Sequence, residues 1–165
     1  MNPERIEKTV RLWTSEPYKA KGKPKVIARF KQSKAVMEHG KFSFETDLPV
    51  PLGGSNEAPS PTALLLGSLA GCAVVFIRDT LAPQLGVKID AIEATAECET
   101  DARGLLGMEG ASPDLANIGL AIKIKSSEPE AAVQSVYQAW QERCPIYLAL
   151  TKALPVAARM EIKRH

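Results

Sequence analysis

From Ala63 to Ile77 the chain is apolar at every position except Gly67, Ser68, Gly71 and Cys72. Ser60 is placed to cap the N-terminus of this run, and Pro61 stands at the first helical position, where its missing N–H costs nothing. The pattern predicts a helix from Ser60 to about Leu81, stopped by Pro83 and Gly86. A helix apolar all round has to be covered on all sides. The run is shorter than a membrane span of about 18 residues or more, so it reads as the central core helix of a soluble domain. Gly67 and Gly71, four apart, clear one face for close approach of another backbone, as in membrane helix pairs. A contact between subunits would use that face.

Elsewhere the polar and apolar positions alternate. Lys25–Lys31 predicts a first strand with Val26, Ala28 and Phe30 on one face. Ala35–His39 and Lys41–Asp47 predict a hairpin turning at Gly40, with Phe42 and Phe44 on its inner face. Leu48–Pro59, rich in proline and glycine, is a loop. Val87–Thr100 predicts a long half-buried strand, with Ile92, Ala94, Ala96 and Cys98 facing inward. Asp101–Asn117 is a loop, and Ile118–Lys125 alternates again. Ser127-Glu128-Pro129-Glu130 reads as a capping box. It opens a helix striped by Ala132, Val133, Val136, Tyr137 and Trp140, which ends near Arg143. Cys144-Pro145 sits at the break, Ile146–Ala153 forms a further helical turn, and Val156–Lys163 predicts a final strand. The class is α+β with mainly antiparallel sheet.

Composition adds little, because 45% hydrophobic and 24% charged residues are ordinary for a globular chain. The net charge of +2 is unevenly spread, with ten Lys/Arg against three acids over residues 1–34. Residues 1–24 read as a basic, flexible N-terminal extension, and residues 25–165 as a single domain. Without interleaved aromatics the basic segment is a solvated edge rather than a nucleic-acid surface. No signal-peptide pattern opens the chain and no membrane contact is expected, which points to the cytoplasm. In that compartment a permanent disulfide is not expected. Three cysteines, Cys72, Cys98 and Cys144, and two histidines, His39 and His165, do not make a structural zinc pattern. Cys98, on the apolar face of its strand, reads as a small core residue. Cys72 is either a small core hydrophobe or a reactive thiol.

Four blocks help to decide between these. They are LGG at Leu52–Gly54, APSPTALLLGSLAGC at Ala58–Cys72, DARGLLGM at Asp101–Met108 and ERCPIYLALTKALPV at Glu142–Val156. On these blocks and the order of elements, the chain resembles the OsmC/Ohr proteins (osmotically inducible protein C and organic hydroperoxide resistance protein). The resemblance implies an OsmC-like fold and an intertwined homodimer, its cysteine helices wrapped by two sheets and its active sites at the subunit interface. It also implies a thiol peroxidase for organic hydroperoxides, with Cys72 peroxidatic, Cys144 resolving, a dithiol reductant as partner, and no metal or organic cofactor.

A thiol near pKa 8.5 is only about 3% ionised at neutral pH, so such a site needs a cation. The resemblance implies an arginine from the first strands held by a carboxylate early in the cysteine helix. Here Thr62 and Ala63 stand where that carboxylate belongs. Glu57 is the nearest substitute, and Arg29, with Lys31 nearby, lies in the matching region. Arg143, beside Cys144, is a further cation, placed to complement the dipole of its own helix. The competing function is a non-catalytic binding module whose apolar interface pocket holds a small lipophilic ligand or senses redox state. A Cys–His hydrolase would need a histidine base, and only His39 is internal.

Overall fold

The computed structural model describes residues 3–163; Met1, Asn2, Arg164 and His165 lie outside it. Helix α1 (Pro3–Ser15) opens the chain, followed by a short 3-10 turn at Pro17–Ala20. The basic extension thus carries a helix that the sequence reading did not place. Ile6, Val10 and Trp13 recur at i, i+4 and i+7, a helical stripe hidden among the basic residues. No residue of α1 is buried.

Strands β1 (Ile27–Lys31), β2 (Lys34–His39) and β3 (Phe42–Thr46) form one antiparallel sheet in the order β1-β2-β3. The pairing of His39 with Phe42 leaves Gly40-Lys41 as a two-residue turn. Gly40 takes a positive φ of 57°, which such tight turns demand. The faces differ from expectation. Phe30, Phe42 and Phe44 are 81%, 62% and 40% exposed, and the Lys41 ammonium lies over Phe42, 5.4 Å from its ring centroid.

The predicted helix begins as read: Ser60 Oγ accepts the Ala63 N–H at 3.2 Å. Its end does not. Helix α2 (Pro61–Phe76) runs through a π-turn at Ile77–Leu81 into α3 (Ala82–Gln84), giving one continuous helix of 24 residues. The π-turn shifts the hydrogen bonding by one residue, with Ala82 N–H bonding to Ile77 O, so the helix passes Pro83. With a mean hydropathy of 1.7 over its most apolar 18-residue stretch, it is long and apolar enough to cross a bilayer by length and composition, contrary to the shorter reading. In this fold one side of it is a core. Leu69, Ala73, Ile77 and Leu81 are buried against the second sheet and the next long helix. The opposite side is open: Gly67, Gly71 and Val75 are exposed, and a Cβ built on either glycine meets no atom within 4 Å.

The second sheet pairs β4 (Ala91–Glu99) with β5 (Ala116–Lys125) antiparallel. Burial along β4 alternates as predicted, with Ile92, Ala94, Ala96 and Cys98 on the half-buried face. A bulge between Glu97 and Glu99 places Cys98 at a break in the ladder. The intervening loop holds a short helix, α4 (Ala102–Leu105), capped by Asp101.

Helix α5 (Glu130–Arg143) buries Val136, Ala139 and Trp140. The capping box is not formed. Pro129 occupies the N-cap, and Ser126 Oγ instead accepts the Glu128 N–H at 3.1 Å. Cys144, extended at φ −72° and ψ 113°, separates α5 from α6 (Pro145–Thr151). Beyond it the expected strand Val156–Lys163 does not form. Those residues have no strand partner, and Val156, Met160 and Ile162 are 89%, 81% and 71% exposed. The segment pairs with none of the strand edges left open at β1, β3, β4 and β5.

Candidate active site

The cysteine helix and the α5–α6 junction bring two of the three cysteines together. Cys72 Sγ and Cys144 Sγ stand 2.9 Å apart as free thiols. Cys144 is fully buried, whereas Cys72 is only partly so. The geometry follows from local structure: Cys144 N–H bonds to Trp140 O at 2.8 Å, ending α5, and its extended ψ turns the chain across α2. Cys98 belongs to β4 and takes no part in that pairing.

The electrostatics of the pair are those of an unactivated thiol. Burial, then the hydrogen bond that the Cys72 thiol shares with Cys144, push Cys72 up to about 12. The negative charge that Cys144 can carry adds to the rise, the Ile146 backbone N–H at the start of α6 pulls the other way, and no basic side chain contributes. Two of the cations weighed from sequence, Arg29 and Arg143, are engaged elsewhere. Arg29 Nη1 pairs with Glu38 at 2.7 Å on the exposed three-stranded sheet. Arg143 Nη1 donates to Gln84 Oε1 at 3.2 Å, linking the ends of two helices. Glu57 precedes α2, and Cys72 lies eleven positions after Pro61, about 16 Å along the axis. Within one chain Glu57 is therefore remote from the thiols. His39 Nδ1 lies 2.9 Å from Lys25 O, away from the thiols, so among the described residues no Cys–His dyad forms.

One unit escaped the sequence reading. Lys34, its side chain 17% exposed, is held between Glu45 at 3.0 Å and Glu57 at 3.4 Å. The alternation around β2 and β3 held the signal, because Lys34 and Glu45 sit on adjacent strands where opposite charges meet. Asp47 was also missed. It is 6% exposed, and its carboxylate accepts the N–H groups of Leu48, Ser55 and Glu57 at 2.7, 3.1 and 3.0 Å. These bonds, Glu57's foremost, hold the carboxyl below its usual range and clamp the loop that delivers α2. Gly54 sits so close to the Leu48 carbonyl that no side chain fits there.

Comparison with known proteins now bears on this arrangement. The OsmC-like protein family model matches residues 54–159, which include both paired thiols. The chain belongs to this family. No curated protein sequence matches it. Among solved structures it is similar to an OsmC-like protein from Mycoplasma pneumoniae, at 20% identity and a TM-score of 0.65, covering 79% of this chain and 88% of that one. It is also similar to an organic hydroperoxide resistance protein from Elizabethkingia anophelis, at 20% identity, TM-score 0.56, and 78% and 88% coverage. A third, organic hydroperoxide resistance protein OsmC from Legionella pneumophila, is 19% identical, with TM-score 0.55 and 78% and 89% coverage. At these identities the likeness establishes the OsmC-like fold, α+β with antiparallel sheets.

Proposed function

We propose that this OsmC-like protein is a thiol peroxidase for organic hydroperoxides, working as a homodimer in the cytoplasm. The observation that carries the reading is the 2.9 Å separation of Cys72 and Cys144. The Cys72 thiolate attacks the distal oxygen of the hydroperoxide. The O–O bond breaks, the alcohol leaves with a proton, and Cys72 becomes a sulfenic acid. The Cys144 sulfur then attacks Cys72 sulfur, water leaves, and a disulfide forms. The gap has to close only from 2.9 Å to a bonded distance of about 2.05 Å. A second dithiol, by thiol–disulfide exchange, returns both cysteines to thiols.

Among the described residues no cation stands at Cys72. A thiol pushed up to about 12 is hardly ionised at neutral pH, and we assign the missing cation to a second chain. The uncovered Gly67–Gly71–Val75 face, the exposed Phe30 and Phe42, and the unpaired segment 156–163 all support a second copy as its source. Arg29 and the clamped Lys34–Glu57 pair are the groups we assign to the partner's thiol.

The same raised Cys72 favours a second reading, a binding module without turnover. Mass spectrometry after one equivalent of cumene hydroperoxide separates the two. A mass loss of two hydrogen atoms, mapped to a Cys72–Cys144 bridge, is expected. Free thiols and unconsumed peroxide would hand the function to the binding module.

A further inference from the structure

Helix α1 adds nothing to the core. It leans on the end of the cysteine helix, where Ile6 and Val10 share an open cleft of about 320 Å³ with Pro83 and Gln84. No α1 residue is buried, and Val10 and Trp13, on the apolar stripe, stay 46% and 47% exposed. The face opposite the stripe carries Glu4, Lys8, Arg11 and Ser15, so the helix is amphipathic. A helix of 13 residues is marginal alone in water and is held mainly by burying its apolar face. Here that face is left largely uncovered.

The chain behind α1 is basic. Between Glu16 and Glu38 stand seven Lys/Arg and no acid. Lys21, Lys23 and Lys25 occupy every second position of an exposed, non-helical stretch. Arg11 and Lys19 are paired with Glu7 and Glu16. Among the described residues Arg5, Lys8, Lys21, Lys23 and Lys25 have no such partner.

We propose that α1 and these lysines dock the protein on an anionic lipid bilayer. Ile6, Val10 and Trp13 enter the headgroup layer, and Lys21, Lys23 and Lys25 lie against the lipid phosphates. At about 20 Å the helix is too short to span and lies in the plane of the surface. Charge selects this occupant. A second copy would bring the same uncompensated lysines to the contact, and a nucleic acid would leave the apolar stripe in water. The sequence reading expects no membrane contact, but it does not place α1, which supplies the apolar half of this surface. The thiol pair takes no part, so the proposal does not rest on peroxide turnover.

The test sediments the reduced full-length protein with vesicles of phosphatidylcholine and phosphatidylglycerol in equal parts, and with phosphatidylcholine alone. Protein should pellet with the mixed vesicles only, and should be released as salt is raised. Trp13 fluorescence should move to shorter wavelength on binding, while Trp140, already 1% exposed, stays constant. Lys21→Gln, Lys23→Gln and Lys25→Gln together should weaken partition about a hundredfold, roughly fivefold for each charge. Val10→Asp should weaken it about tenfold and abolish the Trp13 shift. Both variants alter exposed residues, so their circular dichroism should match that of the unaltered protein. Failure to pellet with the mixed vesicles overturns the proposal, as does pelleting that Val10→Asp leaves unchanged. Two further results overturn it by naming another occupant: duplex RNA bound more tightly than the vesicles, or a dimer that Val10→Asp splits in sedimentation.

Discussion

Cys144, fully buried at the junction of two helices, holds its sulfur 2.9 Å from that of the more accessible Cys72. The asymmetry assigns the order of events in the proposed reaction. Cys72→Ser should abolish consumption of cumene hydroperoxide. Cys144→Ser should allow one oxidation per chain, which then stops at sulfenic acid or proceeds to sulfinic acid. Intact-mass measurement after stoichiometric peroxide distinguishes these products.

The pairing leaves Cys98 out. It occupies a bulge on the half-buried face of β4, a position that alanine also fills at Ala94 and Ala96. Cys98→Ala should leave peroxide consumption close to that of the unaltered protein. A loss of turnover in this variant would show that the wrong thiols had been paired.

Gly71 faces open space within its own chain, so Gly71→Leu should not disturb the fold of a single copy. Leucine is the better helix former by up to about 1 kcal/mol. If a second copy covers this face, the added bulk should cost that contact about 1–3 kcal/mol by overpacking. The expected outcome is an unchanged far-UV circular dichroism spectrum with a shift from dimer to monomer in sedimentation. A monomeric unaltered protein at micromolar concentration would count against the dimer.

A thiol pushed up to about 12 in the fold, against about 8.5 unfolded, stabilises the native chain while both states keep it protonated. That contribution should be complete below pH 8.5 and fade as pH rises toward 12. Thermal melts of the protein and its Cys72→Ser variant should therefore converge at alkaline pH. Where a second subunit supplies a cation, iodoacetamide alkylation of Cys72 should instead show a midpoint below 8.5.

Asp47 behaves in the opposite sense. Three backbone N–H donors lower its carboxyl below the unfolded value near 3.9, so its contribution is full above that pH and vanishes as pH falls through the native value. Asp47→Asn should be less stable than the unaltered protein at pH 7, and the two should approach one another in acid. Urea unfolding at pH 7 and pH 3 measures the difference.

Local signals carried the sequence reading furthest. The Ser60 cap, the alternation along β4 and the stripe of α5 are each written in neighbouring residues, and the structure keeps all three. Cys72 and Cys144 were legible as a pair only through the resemblance of their flanking blocks, since seventy-two positions separate them. What was missed depends on competition or distance. Pro129 displaced the expected cap, the π-turn carried the helix beyond a proline, and α1 was masked by its charge. Lys34 could be recognised as a clamped cation only once β2 and β3 brought Glu45 and the loop brought Glu57 beside it. The strand expected at residues 156–163 alternates as a strand does, but pairing depends on a distant edge that no local pattern specifies, and here the segment meets none.

The π-turn at Ile77–Leu81 also makes the length of the cysteine helix adjustable by one residue. Ala82 N–H reaches back five residues to Ile77 O, where an ordinary helical turn reaches back four. Deleting one residue between them would turn the same pairing into an ordinary helical bond. Ala82 would stay in the core and Gln84 beside Arg143, because the partners that orient them are unchanged. Homologous chains can thus lose one residue from this stretch and keep the helix beyond it in register.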